Sequence, residues 1–248
     1  MNIVIGGASG IGAATVPLLR GPTLVADRNG GDVACDLADR ASLEALAAHV
    51  DHLDALVVTA GVSPVQADAR TVFDIDLAGM ARVLDVFDRL VGQGTVVVCL
   101  SSMAAHMGAD HVSAEQLVAI DEPLGEAIFG LTDNPGFAYL MSKLGVQRMV
   151  RRKAVEWGPR GARCVSVSPG VIATPMGAME MATEGSGAAD VAKLAVLGRT
   201  GVADDIARVV AFLCSADAAF ITGTDILVDG GVIAALRTKA TNDMRGMK

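Results

Sequence analysis

The chain has 248 residues, of which 52% are apolar and 28 are glycine, and carries a net charge of −8. Such a length and apolar share, with a mean hydropathy of +0.46, predict one domain over 1–248 with a sizeable core and exclude a disordered or fibrous chain. The acidic balance excludes a nucleic-acid partner, which needs a basic footprint. No apolar run reaches the ~18 residues that span a bilayer, so no membrane segment and a cytoplasmic location are expected.

The first element, Met1 to Ile5, is a short apolar run suited to a buried strand, and it leads into Gly6-Gly7-Ala8-Ser9-Gly10-Ile11-Gly12. Ala13 to Arg20 then reads as helix, stopped by Gly21-Pro22. Strand, glycine turn and helix form the context of a dinucleotide-binding fingerprint: the glycines permit a tight turn and close approach of backbone N–H groups to a pyrophosphate. The next strand, Thr23 to Asp27, ends in a carboxylate where a ribose-binding acid is expected. An acid there accepts from ribose hydroxyls and repels a 2′-phosphate. It favours NAD over NADP, with the adjacent Arg28 as the opposing feature.

Apolar runs near 2–5, 23–27, 33–35, 54–59, 95–100, 162–168 and 225–228 read as strands, with helices between most of them. This alternation predicts an α/β fold, a single Rossmann-like doubly wound parallel sheet of about seven strands with helices on both faces. Ligands in such sheets lie beyond the carboxyl ends of the strands, where the strand order reverses. Further on, Tyr139 and Lys143 stand four residues apart in a helical context and so share one helix face. A free phenol titrates near ~10, and a fixed cation beside it favours the phenolate, so the pair is a candidate acid/base. Cys35, Cys99, Cys164 and Cys214 lack metal-ligand spacing and read as buried reduced thiols.

With the glycine turn and Tyr139-x-x-x-Lys143 in place, the chain resembles the short-chain dehydrogenase/reductase family from Met1 to about Gly231. Gly7-Ala-Ser-Gly-Ile-Gly12 looks like the family's cofactor turn, and Cys35-Asp36-Leu37 like its adenine-contacting segment. Ala60-Gly61 resembles the close of the fourth strand, and Ser101-Ser102 the catalytic serine motif, with Ser102 as the reactive position. Ser168-Pro169-Gly170 with Val171-Ile172-Ala173-Thr174 resembles the segment folded over the nicotinamide, Thr174 being the carboxamide partner. Asp225 to Gly231 resembles the last strand and its exit. The resemblance implies a nicotinamide cofactor, which Asp27 makes NAD, a small alcohol or ketone as substrate, Tyr139 as proton carrier, Ser102 as donor to the substrate oxygen, and Lys143 as partner of the nicotinamide ribose and of the phenol.

Two departures from that pattern stand out. Asp76, in Phe73-Asp-Ile-Asp76, takes the place of an asparagine of the proton relay; it holds the same water through its backbone carbonyl, perturbs Lys143, or serves only to cap or face solvent on its helix. The segment 103–136 between Ser102 and Tyr139 is far longer than the family's usual spacing, and Ser113-Ala-Glu-Gln116 ahead of Leu117 reads as the capped start of an inserted helix. The insertion, with Arg151-x-Lys-Ala-x-x-Trp157-Gly, makes the chain most similar to the 3α-hydroxysteroid dehydrogenase/carbonyl reductase subgroup. There the insertion lies where other members pair subunits, which implies a homo-oligomer, a dimer rather than the usual tetramer.

Other residues receive plainer readings. His106, Asp110 and His111 have no third His or Cys at ligand spacing and are expected as loop or surface residues, with no metal. Arg148, Arg151, Arg152 and Lys153 are expected as a solvated helix face, and Thr238 to Lys248 as a frayed tail. Met176, Met179 and Met181 fall in the lid, about 171–200, as ordinary packing or as an adaptable apolar surface over the substrate. The leading expectation is an NAD-dependent oxidoreductase of an apolar or steroid-like secondary alcohol or ketone. Its alternatives are an NADPH-dependent carbonyl or 3-ketoacyl-type reductase and a non-catalytic nucleotide-sensing protein.

Overall fold

The computed structural model describes residues 1–246, with side chains through residue 239. Seven strands form one all-parallel sheet: β1 (Asn2–Ile5), β2 (Thr23–Asp27), β3 (Val33–Ala34), β4 (Ala55–Val58), β5 (Val96–Leu100), β6 (Arg163–Pro169) and a final strand, Asp225–Val228. Their order across the sheet is β3-β2-β1-β4-β5-β6 and then the final strand. The order reverses at β1, so the loops after β1 and β4 diverge there and leave a crevice at the carboxyl edge. The expected doubly wound Rossmann-like sheet is present, strand for strand, to within a residue or two at each end.

Side-chain alternation along the strands divides the core into two layers. Ile3, Ile5, Val97 and Cys99 face one layer, where they meet Leu43 and Leu46 of α2 (Arg40–Ala47) and Met141 and Val150 of α7 (Pro135–Trp157). Val4, Val96, Val98, Val165 and Val167 face the other, against Ile206, Val210 and Leu213 of α10 (Ala203–Leu213). Both faces of every central strand are buried, which explains why these strands read as continuous apolar runs.

Several local expectations change. Helix α1 runs only Gly10–Thr15 and tightens into a 3₁₀ turn at Val16–Leu18, because Pro17 offers no N–H to continue it. Asp76 sits in a π-helical stretch, Phe73–Gly79, between α3 (Ala69–Val72) and α4 (Met80–Val86). In the inserted segment, α5 (Ala104–Gly108) precedes α6 (Ala114–Asp121), whose Ser113 and Gln116 form the reciprocal capping box read from the sequence. The lid was not resolved into elements by sequence. It contains β7 (Ile172–Ala173), α8 (Pro175–Ala182) and α9 (Ala188–Ala192), and β7 pairs in parallel with β8 (Gly201–Val202) as a separate two-stranded sheet. The final strand of the main sheet is thus β9. The supposed frayed tail instead continues α11 (Val232–Gly246), with residues 247–248 outside the described residues.

The basic face of α7 is corrected in part: Arg151 and Arg152 are exposed as expected, whereas Arg148 and Lys153 are half-buried. Arg148 Nε donates to Asp121 Oδ1 at 2.8 Å, and Arg152 pairs with the same carboxylate, so two of its four cations clamp α6 onto α7. Lys153 bonds Glu156 at 2.8 Å and lies 5.1 Å from the Trp157 ring centroid. Insertion and helix needed each other's charges, which no reading of α7 alone could supply. Cys35, Cys99 and Cys164 are free and buried, and Cys214 is free and half-buried.

Candidate active site

Two adjoining cavities open at the carboxyl edge of the sheet. The smaller, about 230 Å³, is lined by Gly6, Ser9, Gly10, Ile11 and Gly12 of the first turn, Asp27 and Arg28 at the end of β2, Cys35, Asp36 and Leu37, and Ala60 and Gly61 after β4. Gly7 and Ala8 of the expected turn lie outside it, and Gly7 packs beneath, where a Cβ would meet Val25 at 2.8 Å. A Cβ on Gly12 would fall on the Gly6 carbonyl oxygen, so this position has room for no side chain. Thr59, which sequence reasoning passed over, donates its hydroxyl to the Gly6 carbonyl at 3.0 Å and ties the two crevice loops together.

Asp27 is held in place at that cleft. Its Oδ2 accepts from the Ala8 N–H and its Oδ1 from the Asn29 N–H, each at 3.1 Å. Each oxygen keeps a lone pair for a further donor. Asp36 accepts from the Ala38 N–H at 2.9 Å, and burial pushes the neighbouring Cys35 thiol up to about 11, an inert apolar wall. Glycines that admit close backbone approach, followed by a fixed carboxylate at the far end, fit a dinucleotide.

The larger cavity, about 640 Å³, lies next to the cleft and shares Ile11, Thr59, Gly61, Val62, Thr174 and Met176 with it. Ser102, Tyr139 and Lys143 line it, together with Pro169, Gly170 and Ile172 at the entry to the lid. Most of its wall is apolar. Met103 and Met107 come from the inserted segment and Met176 from α8, whereas Met179 and Met181 are not among its lining residues. The insertion and the lid thus both supply wall of this cavity, as the sequence led us to expect. Thr174 caps α8 by accepting from the Gly177 N–H at 3.2 Å, which leaves its hydroxyl proton free to donate into the junction of the two cavities.

Helix α7 carries Tyr139 and Lys143 on one face, with Lys143 Nζ 5.3 Å from the Tyr139 ring centroid. Ser101, buried at the end of β5, donates to the Lys143 carbonyl at 2.9 Å and fixes helix to sheet beside Ser102. Asp76 neither caps its helix nor faces solvent. Buried, it accepts from the Val62 N–H at 3.0 Å and stands 3.5 Å from Lys143 Nζ, while its Oδ2 has no hydrogen-bond partner among the described residues. Gly61 makes room for this pair, since a Cβ there would lie 2.5 Å from Asp76 Oδ1 and 3.3 Å from Lys143 Nζ.

The electrostatics differ from the simple Tyr–Lys expectation. Burial pushes the Tyr139 phenol upward; Lys143 and then Ser102 pull it down, but Asp76 pushes it up again, and it ends above the ordinary phenol value. Burial opposes the Lys143 ammonium, yet Asp76 and Tyr139 more than offset this and hold it charged. Asp76 is itself raised, because desolvation outweighs the help of Lys143 and the Val62 N–H. Lysine does act on the phenol as the spacing suggested. In the protein alone, however, Asp76 consumes part of its effect.

His106 is a second correction. It lies on α5, and its Nε2 hydrogen-bonds Asp225 Oδ2 at 2.7 Å. Ser166 and Ser168 donate to Asp225 Oδ1 at 2.6 and 3.0 Å, and Gln147, one turn beyond Lys143, donates to Ser168 at 3.1 Å. This network joins α5, α7, β6 and β9 behind the site, so His106 is an anchor rather than a loop residue. Its partners are distant in sequence, and no local signal announced them.

A dinucleotide crevice joined to an apolar cavity that holds a phenol, an ammonium and a hydroxyl defines a nucleotide-dependent oxidoreductase. Comparison with known proteins agrees. A family model described as Enoyl-(Acyl carrier protein) reductase matches residues 127–233. A short-chain dehydrogenase/reductase of Alternaria brassicicola is 34% identical over 73% of this chain and 69% of its own length. The 3-alpha-hydroxysteroid dehydrogenase/carbonyl reductase of Comamonas testosteroni is 30% identical, covering 96% of this chain and 98% of its own. The crystal structure of the 3-alpha-hydroxysteroid dehydrogenase from Pseudomonas sp. B-0831, complexed with NADH, superimposes with a TM-score of 0.86 at 32% identity, covering 96% and 98% of the two chains. The chain belongs to the short-chain dehydrogenase/reductase family. It is an oxidoreductase of the alcohol and ketone class, related to the hydroxysteroid dehydrogenases.

Proposed function

We propose that the protein interconverts an apolar secondary alcohol and its ketone with NAD as cofactor and Tyr139 as acid and base. The observation that carries this reading is the junction of the two cavities: Ser102, Tyr139 and Lys143 line an apolar pocket that shares a wall with a cleft ending in Asp27. In this reading the glycine turn, Asp27, Asp36 and Thr174 hold the dinucleotide, which supplies the hydride carrier.

The chain's own residues handle position and proton. Ser102 donates to the substrate oxygen, where charge develops. Tyr139 takes the alcohol proton during oxidation and returns it during reduction. Lys143 favours the phenolate from the same helix face, and Asp76 holds that ammonium charged while opposing its effect on the phenol. Methionines from the insertion and α8 supply an adaptable apolar wall. Arg28, in the same cleft as Asp27, favours a second reading, an NADPH-dependent carbonyl reductase. Parallel titration with NADH and NADPH, followed by turnover of bulky secondary alcohols, separates the two. Tighter NADH binding is expected, and tighter NADPH binding would make the reductase reading the better one.

A further inference from the structure

Resting on the oxidoreductase reading, the charges of the larger cavity say something more about its substrate. Its wall carries two carboxylates, Glu180 on α8 and Glu184 just beyond it, and among the described residues one cation, Lys143, which already faces Asp76. Neither glutamate has an ion-pair partner among the described residues.

Glu180 is held rather than loose. Ser63, fully buried after β4, accepts the Val65 N–H on its hydroxyl oxygen at 3.3 Å and contacts Glu180 Oε1 at 2.6 Å. Its one hydroxyl proton therefore points at the glutamate, which makes Glu180 the acceptor, and the bond pins the lid to the floor of the cavity. The second carboxylate oxygen has no protein donor among the described residues. A pocket of about 640 Å³ is thus apolar along most of its wall, with Tyr139 at one place and an oriented carboxylate at another.

We propose that Glu180 determines substrate specificity, receiving a hydrogen-bond donor, a hydroxyl or an ammonium, on a part of the substrate other than the reacting carbinol. Alcohols and ketones bearing a carboxylate or phosphate there are disfavoured, because they meet Glu180 and Glu184 with no cation besides Lys143 among the described residues of the wall to offset them. A neutral apolar end is tolerated but leaves the carboxylate without a ligand donor.

A matched series tests this: secondary aryl alcohols on one biphenyl skeleton, with methyl, hydroxymethyl, aminomethyl or carboxylate at the position farthest from the carbinol. In the native protein the hydroxymethyl and aminomethyl compounds should exceed the carboxylate by at least about tenfold in kcat/KM. Glu180→Gln keeps an oxygen for Ser63 but loses the charge, and should bring that ratio to within about threefold. Glu180→Ala, with its fold checked by circular dichroism, should narrow it similarly. A carboxylate turned over as well as the hydroxymethyl compound, or a ratio unchanged in both variants, overturns the proposal. Calorimetric affinities of the matching ketones for the NAD-loaded protein, a pair that cannot react, give the same ratio independently of turnover. Absence of turnover with the ratio intact would refute the oxidoreductase reading and uphold this one.

Discussion

Replacing Asp76 by asparagine removes one negative charge from the site and little else in shape. Asp76 Oδ1 lies 3.5 Å from Lys143 Nζ, and Nζ lies 5.3 Å from the Tyr139 ring centroid, so the carboxylate is at most about 9 Å from the ring. A unit charge at ~9 Å in an effective dielectric of about 20 is worth roughly 2 kcal/mol, a little over one unit of titration. The sign follows from the charges. Asp76 disfavours the phenolate both directly and by engaging Lys143, so its removal makes Tyr139 easier to deprotonate. The midpoint of the pH dependence of kcat/KM for alcohol oxidation should therefore move to lower pH by about one unit in Asp76→Asn. Stopped-assay or continuous formation of reduced cofactor across the pH range, at saturating cofactor, reads the shift. Superimposable profiles, or a shift to higher pH, would refute the placement of Asp76 as a brake on the phenol.

Other substitutions test separate parts of the site. Tyr139→Phe should abolish turnover while leaving cofactor affinity within about threefold, measured by turnover and calorimetry, and residual activity above roughly a tenth would remove Tyr139 from its role. Gly12→Ala places a methyl on the Gly6 carbonyl and should destabilise the protein by about 1–3 kcal/mol in urea unfolding while weakening cofactor binding. His106→Ala takes one donor from buried Asp225 and should cost about 1–3 kcal/mol in the same assay, with an unchanged midpoint contradicting the anchoring network. The insertion covers α7 and engages its arginines through Asp121, so light scattering should give a dimer; a tetramer would show that α6 does not block that face.

What could be read in advance was set by local physics. The buried strands announced themselves as unbroken apolar runs because both faces of β1, β4 and β5 are covered. The glycine turn, Asp27, Tyr139 and Lys143 were readable because backbone sterics and helical spacing confine them to short windows. Ser102, Asp76 and Thr174 needed the family pattern, since a serine, an aspartate and a threonine carry no chemistry by spacing alone. The remainder was hidden because it arises between distant segments. Ser63 meets Glu180, His106 meets Asp225, and Asp121 meets Arg148 only after the sheet has assembled. For the same reason Arg148 looked solvated, and the methionines that line the pocket were only partly the ones expected. The π-helical stretch that carries Asp76 inward has no local signature either, and without it the residue read as equally at home on a solvent face.

In the proposed reaction Asp27 and Tyr139 serve one chemistry, an NAD-linked exchange between a secondary alcohol and a ketone. The most direct test titrates the protein with NADH and NADPH in parallel by calorimetry and then, in the same buffer, follows reduced cofactor with a bulky secondary alcohol in native protein and Tyr139→Phe. Tighter NADH binding is expected, with turnover by the native protein and none by the variant. Tighter NADPH binding, or equal turnover by both proteins, would contradict the proposed reaction.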